Sequence, residues 1–170
     1  VTMSASASID TSANNSTITV DAGTTAGTGG DITLAVLNAG AGAVNVKSFT
    51  GSIVDGNGSG ANNVTGGAIN LSAGGAAGIN LDVITTTPAT AGVTATTTNG
   101  NISLRSTQRL QVDNISAGTS NDVSLSVNNA NTATSSITSL HPNDGVADVT
   151  GRTVTLTATG AANAATGQIG

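Results

Sequence analysis

Aliphatic residues fall at every second position in a long series of short runs. The first half of the chain carries Ile18-Thr19-Val20, Ile32-Thr33-Leu34-Ala35-Val36, Val44-Asn45-Val46, Ile69-Asn70-Leu71 and Ile79-Asn80-Leu81-Asp82-Val83, with the apolar pair Ile53-Val54 among them. The second half continues with Ile102-Ser103-Leu104, Leu110-Gln111-Val112, Val123-Ser124-Leu125-Ser126-Val127 and Val154-Thr155-Leu156. A period of two puts the aliphatic set on one face of an extended strand and the small polar set on the other, so each run predicts a half-buried β-strand. Clusters such as Gly27-Thr28-Gly29-Gly30, Asp55-Gly56-Asn57-Gly58 and Asn99-Gly100 separate the runs. Gly and Asn tolerate positive φ, and Asp, Asn and Ser bond their own backbone, so the chain turns at these points. No window has helical spacing, and good helix formers are scarce: all nine acids are Asp, and Lys47 is the single lysine. Disorder is opposed by the same alternation and by a charged fraction of only 8%.

Two architectures use many short strands. A two-layer sandwich of this size leans on aromatic side chains to fill its core, and the chain offers Phe49 alone. A solenoid has a narrow interior that stacked Val, Ile, Leu and Ala fill coil upon coil, each coil pairing its backbone with the next. The expected fold is therefore all-β, a right-handed parallel β-helix of about seven coils of roughly 20–25 residues. At ~4.8 Å per coil this makes a rod on the order of 35 Å long.

Internal similarity points the same way. Asn63-Val64-Thr65-Gly66-Gly67-Ala68-Ile69-Asn70-Leu71-Ser72-Ala73 resembles Asp148-Val149-Thr150-Gly151-Arg152-Thr153-Val154-Thr155-Leu156-Thr157-Ala158, 85 residues later. Asp31-Ile32-Thr33-Leu34 resembles Asp122-Val123-Ser124-Leu125 at an offset of 91. The expectation is one solenoid over 1–170 built from two related copies of about 85–90 residues, approximately 1–85 and 86–170.

The formal net charge of −5 argues against nucleic acid, whose phosphates call for clustered Lys and Arg. Lys47, Arg105, Arg109 and Arg152 are scattered instead. No apolar run approaches the ~20 residues of a membrane-spanning helix, so no membrane insertion is expected. The chain shows no signal-peptide pattern and does not start with Met, as expected of a mature or excised piece. Without cysteine and with one histidine, no thiolate or multi-histidine metal site is expected, and no cofactor is implied.

The rungs Gly30 to Ala35, Gly67 to Ala73, Gly100 to Leu104 and Gly151 to Ala158 share a Gly-x-Ile/Val-x-Leu order. The step Val-Thr-Gly precedes two of them, at Val64-Thr65-Gly66 and Val149-Thr150-Gly151. In these residues the chain resembles the filamentous-haemagglutinin-type β-helix repeats of large bacterial exoproteins and adhesins of the two-partner secretion type. The resemblance covers most of the chain from about Asp31 and contains interior-type rungs without the family's amino-terminal secretion domain. It implies an extracellular or bacterial cell-surface location and a structural or adhesive shaft segment. The partners it implies are neighbouring coils or further copies stacked head to tail, and host or surface glycans.

Asp55-Gly56-Asn57-Gly58-Ser59-Gly60 fits the opening of a calcium loop, yet Gly66 occupies the position where a bidentate acid belongs, so an Asx-stabilised corner is expected. Gly27-Thr28-Gly29-Gly30-Asp31-Ile32 echoes the calcium repeats of β-rolls but lacks tandem copies, and again reads as a corner. His141, near Asp144, reads as an exposed loop histidine. Polysaccharide cleavage would need carboxylates at a set separation. Asp82, Asp113, Asp122, Asp144 and Asp148, with Arg105 and Arg109 for positive charge, are the candidates, mostly at turns where Asp is ordinary. The expectation is no enzyme and no catalytic, cofactor or metal residue. The remaining alternative is a ligand-binding module that grips glycan or ice through a Thr/Asn-rich face. Thr85-Thr86-Thr87, Thr94 to Thr98, and Thr153, Thr155, Thr157 and Thr159 supply the residue type without one rank per coil. The glycosylation sequons Asn15-Ser16-Thr17 and Asn63-Val64-Thr65 are expected by chance in so Asn- and Thr-rich a chain.

Overall fold

Strands form where the alternation places them, and every one pairs in parallel with a strand roughly one coil away. The computed structural model describes all residues except 24, 26, 59, 88, 130–134, 143, 161–167 and 170. In chain order the strands are β1 (Ser8–Asp10), β2 (Ile18–Ala22), β3 (Ile32–Leu34), β4 (Val36–Asn38), β5 (Val44–Ser48), β6 (Ile53–Asp55), β7 (Val64–Gly66), β8 (Ile69–Ala73) and β9 (Ile79–Thr85). They continue as β10 (Val93–Thr97), β11 (Ile102–Ser106), β12 (Leu110–Ser116), β13 (Val123–Asn129), β14 (Ser136–Ser139), β15 (Val149–Thr150), β16 (Val154–Gly160) and β17 (Gln168–Ile169). Among the described residues there is no helix.

The strands make two sheets that enclose the core. An eight-stranded sheet runs β2-β5-β8-β10-β12-β14-β17, with β15 also paired to β12. A nine-stranded sheet holds the others and folds over at β9: Ile79 to Asp82 pair with β11, while Val83 to Thr85 pair with β7. One strand thus rounds a corner and gives the coil a third face. The fold is a parallel β-solenoid.

The register of the nine-stranded sheet counts the coils. Ile32, Ile53, Ile79, Ile102, Val123 and Val154 are successive partners, separated by 21, 26, 23, 21 and 31 residues. These steps make about five turns, not the seven expected. The coil length is close to the expectation; the count falls because other segments make only partial rungs. Thr2 contributes a single bridge to Thr33, and β1 pairs with β4 alone.

Inside, each rank is a column of aliphatic side chains. Ile32, Ile53, Ile79, Ile102 and Val123 are buried, as are Leu81, Leu104 and Leu125 beside them. On the opposite sheet Val44, Ile69 and Val93 form a matching column, and Leu37, Val64 and Val83 line the third face. Each such side chain contributes about 1.5–3 kcal/mol when fully removed from water, so a narrow interior without aromatics still holds the coil. Phe49, the lone aromatic, is 40% exposed at a corner and takes no part in this column.

The two pairs of similar segments behave differently. Ile32–Leu34 and Val123–Asn129 lie in the same sheet. The 85-residue pair does not: β7 and β16 belong to the nine-stranded sheet, β8 and β15 to the eight-stranded one. That likeness is one of local turn-and-strand chemistry.

One core position is mismatched. Thr85 ends β9 on the inside of the coil, 3% exposed, and its Oγ1 finds no hydrogen-bond partner among the described residues. A buried hydroxyl without a partner costs stability that an isosteric methyl does not. Thr85→Val is expected to stabilise the fold by about 1 kcal/mol, read as a melting temperature higher by roughly 2–4 °C in calorimetry.

Candidate functional site

The outward side of the eight-stranded sheet carries polar ranks that run through five coils, with one register shift between β10 and β12 at Val93/Thr94. Because inward residues alternate with outward ones, register alone sorts the latter into two ranks. Thr19, Asn45, Asn70, Thr94 and Asn114 form the first, and Asp21, Lys47, Ser72, Thr96 and Ser116 the second. Neighbours within a rank are ~4.8 Å apart, and the ranks themselves are ~6.7 Å apart. Asn70 Nδ2 donates to Asn45 Oδ1 at 2.8 Å, so the amides form a ladder between coils. One coil further on, Thr94 Oγ1 donates at 2.8 Å to Asp113 Oδ2, the residue that the register shift leaves outside the rank. A shallow depression of about 260 Å³ lies across three coils, lined by Asn45, Val46, Lys47, Asn70, Leu71, Ser72, Thr94 and Thr96, and the surface it exposes is mainly alkyl. Among the described residues Lys47 joins no ion pair. The surface therefore offers amides and hydroxyls, with the Lys47 ammonium next in rank to the Asp21 carboxylate, around a mainly alkyl floor.

The carboxylates that are candidates for cleavage are spread over the molecule, and those of Asp82, Asp113, Asp122 and Asp144 are already engaged. Arg105 on β11 grips Asp82 on β9 through Nε–Oδ1 at 3.0 Å and Nη2–Oδ2 at 2.8 Å, and reaches Asn80 Oδ1 at 2.5 Å. Asp55, one coil further back, lies 3.7 Å from the same Nη2. Asp122 is held by Arg152 at 2.9 and 2.7 Å, and Asp113 lies 3.3 Å from His141 Nδ1. Asp144 accepts the Val146 N–H at 2.8 Å, and the Asp148 main-chain oxygen takes the Ile115 N–H. The His141 side chain is exposed at 57%. Among the described residues no three His, Cys, Asp or Glu side chains converge as metal ligands would.

The Asp55 loop turns its oxygens inward. Asp55 Oδ1 accepts the N–H groups of Asn57 and Gly58 at 2.9 and 3.0 Å and the Asn63 Nδ2 at 2.9 Å. Asn57 Nδ2 donates to the Ala35 carbonyl at 3.0 Å. The loop closes on its own chain, as an Asx-stabilised corner does; Ser59 lies outside the described residues. The second glycine-rich segment is likewise a corner, where Asp31 Oδ1 accepts the Ser52 N–H at 2.8 Å.

Asn63 is the residue whose role the sequence conceals. As part of a sequon it reads as a surface position, yet it is fully buried. Its Nδ2 donates to Leu34 O, Ala35 O, Asp55 Oδ1 and Asn57 Oδ1, and its Oδ1 accepts the Asp82 N–H at 2.8 Å. It joins the backbones of neighbouring coils from inside a corner. Burial closes this sequon in the folded chain, whereas Asn15 is exposed and uses its Oδ1 to accept the Ala41 N–H.

The threonines divide. Thr94 and Thr96 stand in the ranks, Thr85 points inward, and Thr86 Oγ1 donates to Gly40 O at 2.6 Å. Thr97 bonds Gly100 O across its turn. Thr155, Thr157 and Thr159 are exposed on β16.

Burial alone would push the Asp55 carboxyl up, but the Asn63 amide, the Asn57 and Gly58 N–H groups and Arg105 together hold it below the usual carboxylate range. A depressed native value stabilises the fold above the unfolded-state pKa of about 3.9 and is lost as pH falls through the native value. Asp55→Asn is therefore expected to lower the urea midpoint at neutral pH, where Arg105 loses a charge partner. The gap to the parent chain should shrink as pH drops below about 4, where Asp55 of the unfolded chain is protonated first, and close as the pH passes the lower native value.

Comparison with protein-family models, curated proteins and solved structures finds no match to the chain.

Proposed function

We propose that this chain is a shaft segment of a large secreted or cell-surface bacterial fibre protein, related in kind to the filamentous-haemagglutinin-type repeats it resembles. The observation that carries the reading is the unbroken aliphatic column Ile32, Ile53, Ile79, Ile102, Val123 and Val154 through five successive coils, flanked by small polar side chains. Such a structure resists bending because each backbone ladder and each column runs along the axis. Its role is mechanical: it sets distance and stiffness between whatever adjoins it.

The last rung supports continuation. Val123 is 1% exposed under its neighbours, whereas Val154, its partner on β16, is 41% exposed. Another coil laid on β16 would cover that side chain and pair the edge of β16 that has no strand beside it among the described residues. Such a coil comes from an adjoining part of the fibre or from a second copy stacked head to tail.

Antibody raised against the folded chain and applied to intact, unpermeabilised source cells tests the proposal. Gold label along surface filaments is expected. Label that appears only after lysis contradicts a surface shaft.

A second reading is favoured by one feature, the amide ladder and depression on the eight-stranded sheet. In that reading the two ranks hold a glycan chain, or ordered water at an ice surface. Binding on a glycan array or thermal hysteresis that disappears in Lys47→Ala and Asn70→Ala variants would support it; inertness in both assays leaves the shaft alone.

A further inference from the structure

Asn57 and Asn99 are the two asparagines directly followed by glycine. A following residue without Cβ lets its backbone nitrogen approach the asparagine Cγ, which makes this dipeptide chemically labile. The fold places the two steps in opposite surroundings. At Asn57 the attacking nitrogen is occupied, because Gly58 N–H donates to Asp55 Oδ1 at 3.0 Å. The side chain is fixed at both ends: Oδ1 accepts from Asn63 Nδ2 at 2.9 Å and Nδ2 donates to Ala35 O at 3.0 Å. Asn57 N–H is tied to Asp55 as well. At Asn99 the side chain is exposed and held by one bond, Nδ2 to Gly74 O at 2.9 Å. Among the described residues no oxygen accepts the Gly100 N–H.

We propose that Asn99 is a site of spontaneous covalent modification, a slow deamidation and isomerisation that Asn57 is protected from. Gly100 is buried beside exposed Asn99, so its N–H meets solvent base as the turn opens; Gly100 N then gives up its proton and forms a bond to Asn99 Cγ. The Cγ–Nδ2 bond breaks, and the nitrogen takes up a proton from water and leaves as ammonia. Water then opens the five-membered succinimide at either carbonyl, leaving aspartate or isoaspartate at position 99. No metal, oxidant or enzyme is needed. Both products lose the Nδ2 donor to Gly74 O, and the isoaspartate form also lengthens the main chain by one methylene between β10 and β11. The neighbouring Gly100 has no slack for this: a Cβ there would overlap the Gly78 backbone and lie 2.7 Å from Gly75 O. Modification therefore marks, and loosens, one corner of the coil. The inference is independent of whether the chain is a shaft or a glycan-binding module.

The test is to hold the folded chain in warm, mildly alkaline buffer and follow each Asn-Gly peptide by mass spectrometry, with isoaspartate read by enzymatic carboxyl methylation. A urea-unfolded sample runs alongside. In the unfolded sample both sites should convert at comparable rates. In the folded chain Asn99 should convert roughly a hundredfold faster than Asn57, since three further hydrogen bonds, each worth about fivefold, must open at Asn57. The mass gain and the methyl acceptance should vanish in Asn99→Gln. Conversion of folded Asn57 as fast as Asn99 overturns the proposal. So does a folded Asn99 that stays intact while the unfolded control converts, or a gain that persists in Asn99→Gln.

Discussion

Replacing Asn63 with alanine is expected to destabilise the fold by about 3 kcal/mol, lowering the melting temperature by roughly 6–12 °C. The side chain is fully buried; the two Nδ2 hydrogens are shared among four acceptors, and Oδ1 accepts the Asp82 N–H. Some of its partners have substitutes: Leu34 O also accepts the Gly56 N–H, and Ala35 O the Asn57 amide. The Asp82 N–H donates to Asn63 Oδ1, and a buried donor left without an acceptor costs about 1–3 kcal/mol by itself. Asp55 loses one of the three donors on its Oδ1, and the vacated volume adds a cavity term. The neighbour Asn62 is only partly buried, so Asn62→Ala should stay within about 0.5 kcal/mol. Chemical denaturation of both variants checks the pair. Equal, small effects would mean that the corner does not depend on the Asn63 network.

Gly51→Ala is expected to be of similar or larger effect, for a steric reason. Gly51 is buried where the chain passes from the eight-stranded to the nine-stranded sheet. A Cβ on it would overlap the Gly30 carbonyl and meet Asp31 N at 2.5 Å, all of it main chain of the adjoining coil. Backbone held in a ladder cannot move aside as a side-chain tip does, so the coils must part or the corner must unwind. Overpacking costs about 1–3 kcal/mol even where side chains yield; here about 3 kcal/mol or more is expected. Gly30 itself is the control. Nothing lies within 4 Å of the Cβ it would carry, and its φ is not positive, so Gly30→Ala should be neutral or stabilising by up to about 1 kcal/mol. The contrast between two glycines facing each other across one coil spacing separates close approach from any general effect of adding a methyl group.

These two residues also mark how far the chain can be read without coordinates. Runs with two or more aliphatic residues in alternation, such as Ile79 to Val83 and Val123 to Val127, are strands where expected. The run Ile32 to Val36 is split, because Ala35 sits in a corner between β3 and β4. Strands with few aliphatic residues, such as β1 and β14, carry a weak alternation signal, and pairing with a neighbouring coil defines them. Local periodicity reports that a segment is extended; it does not report which face of the coil the segment occupies. That depends on corner lengths, which vary enough to make successive coils 21 to 31 residues long. For this reason the likeness of 63–73 to 148–158 joins segments on different sheets, and the pairs Arg105–Asp82 and Asn63–Asp82 were out of reach. The two outward ranks were hidden likewise. Each coil contributes a different residue type, Thr, Asn, Asn, Thr and Asn in one rank, so only the register shows that they align.

The central claim is that successive runs stack as coils along one axis. The chain has no cysteine, so spin labels go only where cysteine is introduced. Outward positions Thr33, Ser103, Ser124 and Thr155 lie in one rank of the nine-stranded sheet. Dipolar electron paramagnetic resonance from Thr33 to each of the others is expected to give backbone separations of ~14, ~19 and ~24 Å, for three, four and five coil spacings. A steady increase of about 4.8 Å per coil is the signature of the solenoid. Distances that fail to grow in that order, with Thr155 as near to Thr33 as Ser103 is, would mean a layered core of folded-back strands and would contradict the account.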